Sequence, residues 1–70
     1  MFEDDEILKS RYPIGSRVEL IQMNEDPNPV EPGTKGTVTH IGGGLVNVNW
    51  DNGRQLGLVY GVDDFKSIQE

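Results

Sequence analysis

The sequence predicts a mainly β domain: a small antiparallel barrel of five short strands, preceded by a short helix. Three observations carry this expectation. A helix-forming, acid-rich texture stops at Pro13, and glycine-punctuated β segments follow it. Five such segments fit into about 55 residues, a spacing that favours a small barrel over a sandwich. The segment LVNVNW, residues 45–50, alternates strictly, with Val46, Val48 and Trp50 on one face and Asn47 and Asn49 on the other. The expected organisation is an acidic helical segment over 1–12 and a barrel domain over 13–70.

The elements follow in chain order. FEDDEILKSR, residues 2–11, places acids in the first turn, where they complement the positive end of a helix. Pro13 terminates it, because the residue before a proline is driven out of the helical region. A helix this short is marginal alone, so it either docks on the domain or frays. SRVELIQM, 16–23, is the first strand, with Val18 and Leu20 on one face. NEDPNPVEPG, 24–33, holds three of the four prolines and is expected as a long loop or arm, since a central strand cannot tolerate them. TKGTVTHI, 34–41, is the second strand, with Val38 inward, His40 on the same face, and Gly36 at a bulge or bend. The glycines 42–44 turn the chain into 45–50. RQLGLVY, 54–60, returns, and DFKSI, 64–68, closes with Phe65 and Ile68.

The 45–60 hairpin can be set in register from its side chains alone. A two-residue turn at Asn52-Gly53 would place Asn49 opposite Leu56 and Asn47 opposite Leu58, scrambling polar and apolar faces. A three-residue loop, Asp51-Asn52-Gly53, ending on a left-handed glycine, pairs Trp50 with Arg54, Val48 with Leu56 and Val46 with Leu58. The bulged register is therefore predicted. It puts Trp50 on the core face at the hairpin's end, with the Arg54 guanidinium expected to stack on a partly buried indole, an interaction of roughly 0.5–1 kcal/mol when exposed. Trp50 reads first as a core plug and second as an aromatic on a binding surface.

Composition limits what the domain can do. Seventy residues, 34% hydrophobic, make one small core. No cysteine is present, which excludes disulfides and thiolate metal sites. There is no apolar run of membrane-spanning length and no basic segment leading into an apolar one, so a cytoplasmic chain is expected. Twelve acids against six bases give a net charge of −6, and Glu3 to Glu6 are all acidic. Residues 10–70 alone still carry eight acids and five bases. Phosphate contacts need a surplus of Lys and Arg, so nucleic acid is disfavoured as a partner.

Four motifs combine into a resemblance: G-x-R-V-x-L-I-x-M over Gly15–Met23, P-G-T-x-G-T-V over Pro32–Val38, V-x-W-D-N-G-x-x-L-x-L over Val48–Leu58, and G-V-D-x-F over Gly61–Phe65. Together they resemble a small domain family of unknown function, typical of Gram-positive bacteria, their phages and mobile elements. Similar GTV and WDNG signatures occur in barrels of larger eukaryotic ubiquitin-ligase proteins, which implies an SH3-like barrel here. The resemblance covers about residues 14–68 and leaves the acidic N-terminal segment outside. It implies no catalytic residues.

Catalytic chemistry finds no foothold in the residues. His40 is the single histidine and has no ligand neighbour in sequence. Asp63-Asp64 reads as a turn or cap, since adjacent strand-end acids point apart. GTKGT lacks the Gly-Lys-Ser/Thr ending and the following helix of a phosphate loop. The expectation is a non-enzyme needing no cofactor or metal: a protein-interaction module, or an accessory or counter-defence protein, of a bacterium, phage or mobile element. A nucleic-acid-binding barrel is the alternative, which a shared patch of Arg17, Lys35, Arg54 and Lys66 would revive. A small-ligand or nucleotide-binding homo-oligomer is the third. The expected contact surface joins the 24–33 arm to the open end of the barrel. There Met23, Val30 and Tyr60 are apolar anchors, Glu25, Asp26 and Glu31 an acidic rim suited to a basic partner, and Trp50 with Arg54 lie alongside.

Overall fold

The computed structural model describes residues 3–24 and 27–69. Helix α1, Glu3–Arg11, precedes five strands: β1, Arg17–Gln22; β2, Lys35–Gly42; β3, Leu45–Trp50; β4, Gln55–Val59; and β5, Asp64–Ile68. All ladders are antiparallel, and the strand order is β4-β3-β2-β1-β5. The mainly β, five-stranded expectation holds. Barrel closure does not follow from it: β4 and β5 are the two ends of the sheet, with no ladder joining them among the described residues.

One face of the sheet gathers into a single core. β1 contributes Val18 and Leu20, β2 Val38 and Ile41, β3 Val46, Val48 and Trp50, and β4 Leu58. Helix α1 closes it with Leu8, which is fully buried, and is therefore docked rather than frayed. A second tie comes from Asp5, whose carboxylate accepts from the amides of Gly43 and Gly44 at 3.0 and 2.8 Å. Those glycines form the β2–β3 turn with φ of 61° and 79°, a left-handed pair that aims both N–H groups at one acceptor. No helix among the described residues is long and apolar enough to cross a membrane.

The β3–β4 hairpin has the bulged register. Val48 pairs with Leu56 and Val46 with Leu58, Trp50 N–H donates to the Arg54 carbonyl at 2.8 Å, and Gly53 has φ of 92°. The second strand departs from its expected alternation. Gly36 is in regular pairing with Val18 and Trp50, and the bulge lies instead between Val38 and His40. The extra residue resets the frame, so His40 is exposed and Ile41 takes the core position. His40 therefore does not share Val38's face.

The proline-rich loop is not a free arm. Glu31-Pro32-Gly33-Thr34 forms a turn in which Thr34 donates to the Glu31 carbonyl from both its amide and its hydroxyl. Gly33 N–H donates to the Leu20 carbonyl at 2.7 Å, and Leu20 N–H to the Thr34 carbonyl at 2.8 Å. This turn leads into a strand, not a helix, which accounts for the glycines of the GTKGT motif without a phosphate.

Candidate functional site

Loop burial overturns two of the expected anchors. Met23 is 7% exposed and Val30 is 1% exposed, and the Val30 amide donates to the Met23 sulfur at 3.4 Å. A domain with so few apolar residues draws loop side chains in to cover its core, so neither is presented to a partner. Glu31 remains exposed. Glu25 and Asp26 lie outside the described residues. Trp50 is 3% exposed, and its indole N–H donates to the Leu56 carbonyl at 3.1 Å. Arg54 does not cap it: the guanidinium turns to the loop and donates to the Asn28 carbonyl at 2.7 Å. Trp50 is a core plug, and the expected stack is replaced by a strap between the β3–β4 turn and the loop.

Tyr60 alone of the three anchors is accessible, at 41% exposure. It stands in a cleft of about 420 Å³ that the fold assembles from three segments distant in sequence. Tyr12 comes from the chain leaving α1, Ile21 from the outward side of β1, Tyr60, Gly61 and Asp63 from the β4–β5 turn, and Asp64 and Phe65 from the start of β5. The Tyr12 and Phe65 rings lie 4.9 Å apart at 50°, making a tilted aromatic floor. Ile21, 49% exposed, adds an apolar wall, and the Tyr60 hydroxyl accepts from Arg11 at 3.3 Å.

The two adjacent acids have separate tasks. Asp63 is consumed by structure: one carboxylate oxygen accepts from the Asn24 amide at 3.1 Å and the other from the Val59 amide at 2.9 Å. Asn24 returns a bond from its side chain to the Val62 carbonyl at 2.6 Å. This locks the end of β1 to the β4–β5 turn and holds the cleft open. Asp64 is exposed at the rim, where among the described residues its carboxylate accepts only a long bond from the Asn24 side chain at 3.5 Å. Tyr12, Ile21, Asp64 and Phe65 were not among the expected site residues. Only Ile21 left a local signal, as a large apolar residue on the polar face of an alternating strand.

Three of the four cations of the expected patch, Arg17, Lys35 and Lys66, share the outward face of β1, β2 and β5, interleaved there with Glu19 and Asp51. Arg17 forms a bidentate pair with Asp51, at 2.8 and 2.5 Å, and also donates to the Thr37 hydroxyl at 3.0 Å. Arg54 is held by Asn28. Lys35 and Lys66 lie at opposite positions across Glu19 in the sheet register. Arg17, Arg54, Lys35 and Lys66 are thus each placed against an acceptor or beside an acid.

The Arg17 hydrogen bonds hold the Asp51 carboxyl below the usual carboxylate range, against some loss of hydration, and the charges of Arg17 and Lys35 add to the effect. A carboxylate held low in the fold stabilises it above the unfolded value and loses that contribution as pH falls through the folded one. Asp51→Asn should therefore lose part of the acid limb of stability. In melts from about pH 6 to about pH 3 the wild-type advantage over the variant should shrink steadily. A gap that is constant across that range would remove the pair from the account.

Residues 3–68 match the family described as a domain of unknown function, DUF4314, and the match takes in α1 rather than leaving the acidic segment outside. No curated protein and no solved structure matches the chain. With the match running from the helix to the last strand, the chain belongs to the DUF4314 family.

Proposed function

We propose that this domain is a non-catalytic protein-interaction module that takes a basic, apolar-containing segment of a partner in the Tyr12–Ile21–Tyr60–Phe65 cleft. The single observation behind this reading is the cleft's make-up: aromatic and aliphatic walls beneath an exposed carboxylate, Asp64, which among the described residues accepts only the long 3.5 Å bond from the Asn24 side chain. Aromatic anchors inside a polar rim are what protein interfaces use. A net charge of −6 favours encounter with a positively charged partner. Nucleic acid is the weaker reading, because Arg17 and Arg54 are engaged within the fold and the chain has few other cations. Service as an accessory or counter-defence protein of a phage or mobile element is a setting supported by sequence resemblance alone.

Calorimetry with a capped peptide of alternating leucine and lysine tests the site. Tyr60→Ser and Asp64→Lys are both substitutions of exposed residues and should melt like the wild type. Each should weaken peptide binding by about tenfold, the equivalent of losing one anchor contact. Unchanged affinity in both variants would dismiss the cleft.

A further inference from the structure

Strand β4 lacks the protections that keep exposed sheet edges solitary. Unpaired N–H and C=O groups template further pairing, so edges are ordinarily blunted with charge, proline, bulges or cover. The opposite edge, β5, carries Asp64 and Lys66. β4 reads QLGLV, with neither charge nor proline. Trp50 N–H bonds to the Arg54 carbonyl and Tyr60 N–H to that of Gly44. By antiparallel alternation Leu56 and Leu58 bond to β3, while the backbone groups of Gln55, Gly57 and Val59 point away. Val59 is spent internally: its N–H goes to Asp63, and its carbonyl accepts from Val62 and Asp63. Gln55 and Gly57 remain, and no strand pairs with them among the described residues.

The face beside this edge is uncharged as well. Outward positions on β3 and β4 are Leu45, Asn47, Asn49, Gln55, Gly57 and Val59. Asparagine is disfavoured in strands, yet it holds two of the three outward positions of β3. Gly57, opposite Asn47, leaves a shallow cleft of about 330 Å³ over the amide side chains. A glycine at a sheet edge is stabilised by an aromatic side chain laid across it from a neighbouring strand.

We propose that β4 is a docking edge, separate from the Tyr60 cleft, for an extended, uncharged segment of a partner protein. The segment adds as a sixth strand, bonds its backbone to Gln55 and Gly57, and lays an aromatic side chain over Gly57 against the Asn47 amide. A charged segment would lose hydration against a face that offers no counter-charge. A second copy of this chain is a poorer occupant, because β4 has no aromatic residue to place over Gly57.

The test titrates the full nitrogen-15-labelled chain with a capped heptapeptide of alternating threonine and valine with a central tyrosine, and with its glycine-centred analogue. The tyrosine peptide should slow amide exchange at Gln55 and Gly57 by about tenfold, and the analogue should bind about tenfold more weakly. Gln55→Pro removes an N–H that β3 does not use, so it should melt near the wild type and lose the protection at Gly57. Gly57→Val, which fills the hole, should also fold and should weaken the tyrosine peptide. Absence of binding, equal binding of the two peptides, or effects confined to the Tyr60 cleft would overturn the proposal. Self-association that protects the same amides without peptide would overturn it too, by giving the edge to a second copy.

Discussion

Trp50→Ala is expected to unfold the domain at ordinary temperature. The indole is 3% exposed and anchors the β4 end of the core, with its N–H bonded to the Leu56 carbonyl. Deleting a buried Trp costs about 3–5 kcal/mol. A single core in a chain of this size supplies roughly that much in total. The variant also removes the indole donor to the Leu56 carbonyl, which keeps only its ladder bond to β3. Trp50→Phe should fold, because it keeps most of the buried ring and loses chiefly the hydrogen bond, a penalty of about 1–3 kcal/mol. Circular dichroism melts of the two variants provide the comparison. A Trp50→Ala variant that melts within a few degrees of the wild type would remove Trp50 from the core.

Gly36→Ala should be the most damaging small-to-slightly-larger change in the chain. Gly36 has no positive φ, so its requirement is space rather than conformation. It sits on β2 between Val18 of β1 and Trp50 of β3. An added Cβ would overlap Val48 Cγ1, and would lie 2.8 Å from the Asn49 carbonyl oxygen and 2.9 Å from Trp50 Cε3. Two core side chains and a strand backbone must move together, which places the cost near the upper end of overpacking, about 3 kcal/mol. Gly57→Ala is the control, since its nearest neighbour is the end of the Asn47 side chain at 3.2 Å. That variant should lose well under half as much stability in denaturant titration. Equal losses would mean that Gly36 is not a point of close approach.

The hairpin was legible because both of its strands alternate cleanly, so only one loop length matched apolar with apolar residues. The second strand was not. In VTHI, residues 38–41, a bulge and a regular strand both bury Val38, and only packing against Val46 selects Ile41 over His40 as the next inward residue. Loop 24–33 misled for a related reason. Prolines mark a connection correctly, but they do not say which way its apolar residues face, and a core this small recruited Met23 and Val30. The cleft was illegible because Tyr12, Ile21 and the 60–65 stretch are three separate segments, brought together only when β5 pairs with β1.

The proposed role is tested most directly by one amide-shift titration. The labelled chain at low salt receives, in separate runs, the leucine–lysine peptide, single-stranded and duplex DNA, and RNA. The peptide should shift Tyr12, Ile21, Tyr60, Asp64 and Phe65, and the nucleic acids should shift nothing at micromolar concentration. Salt-sensitive nucleic-acid binding centred on Arg17, Lys35 and Arg54 would contradict it.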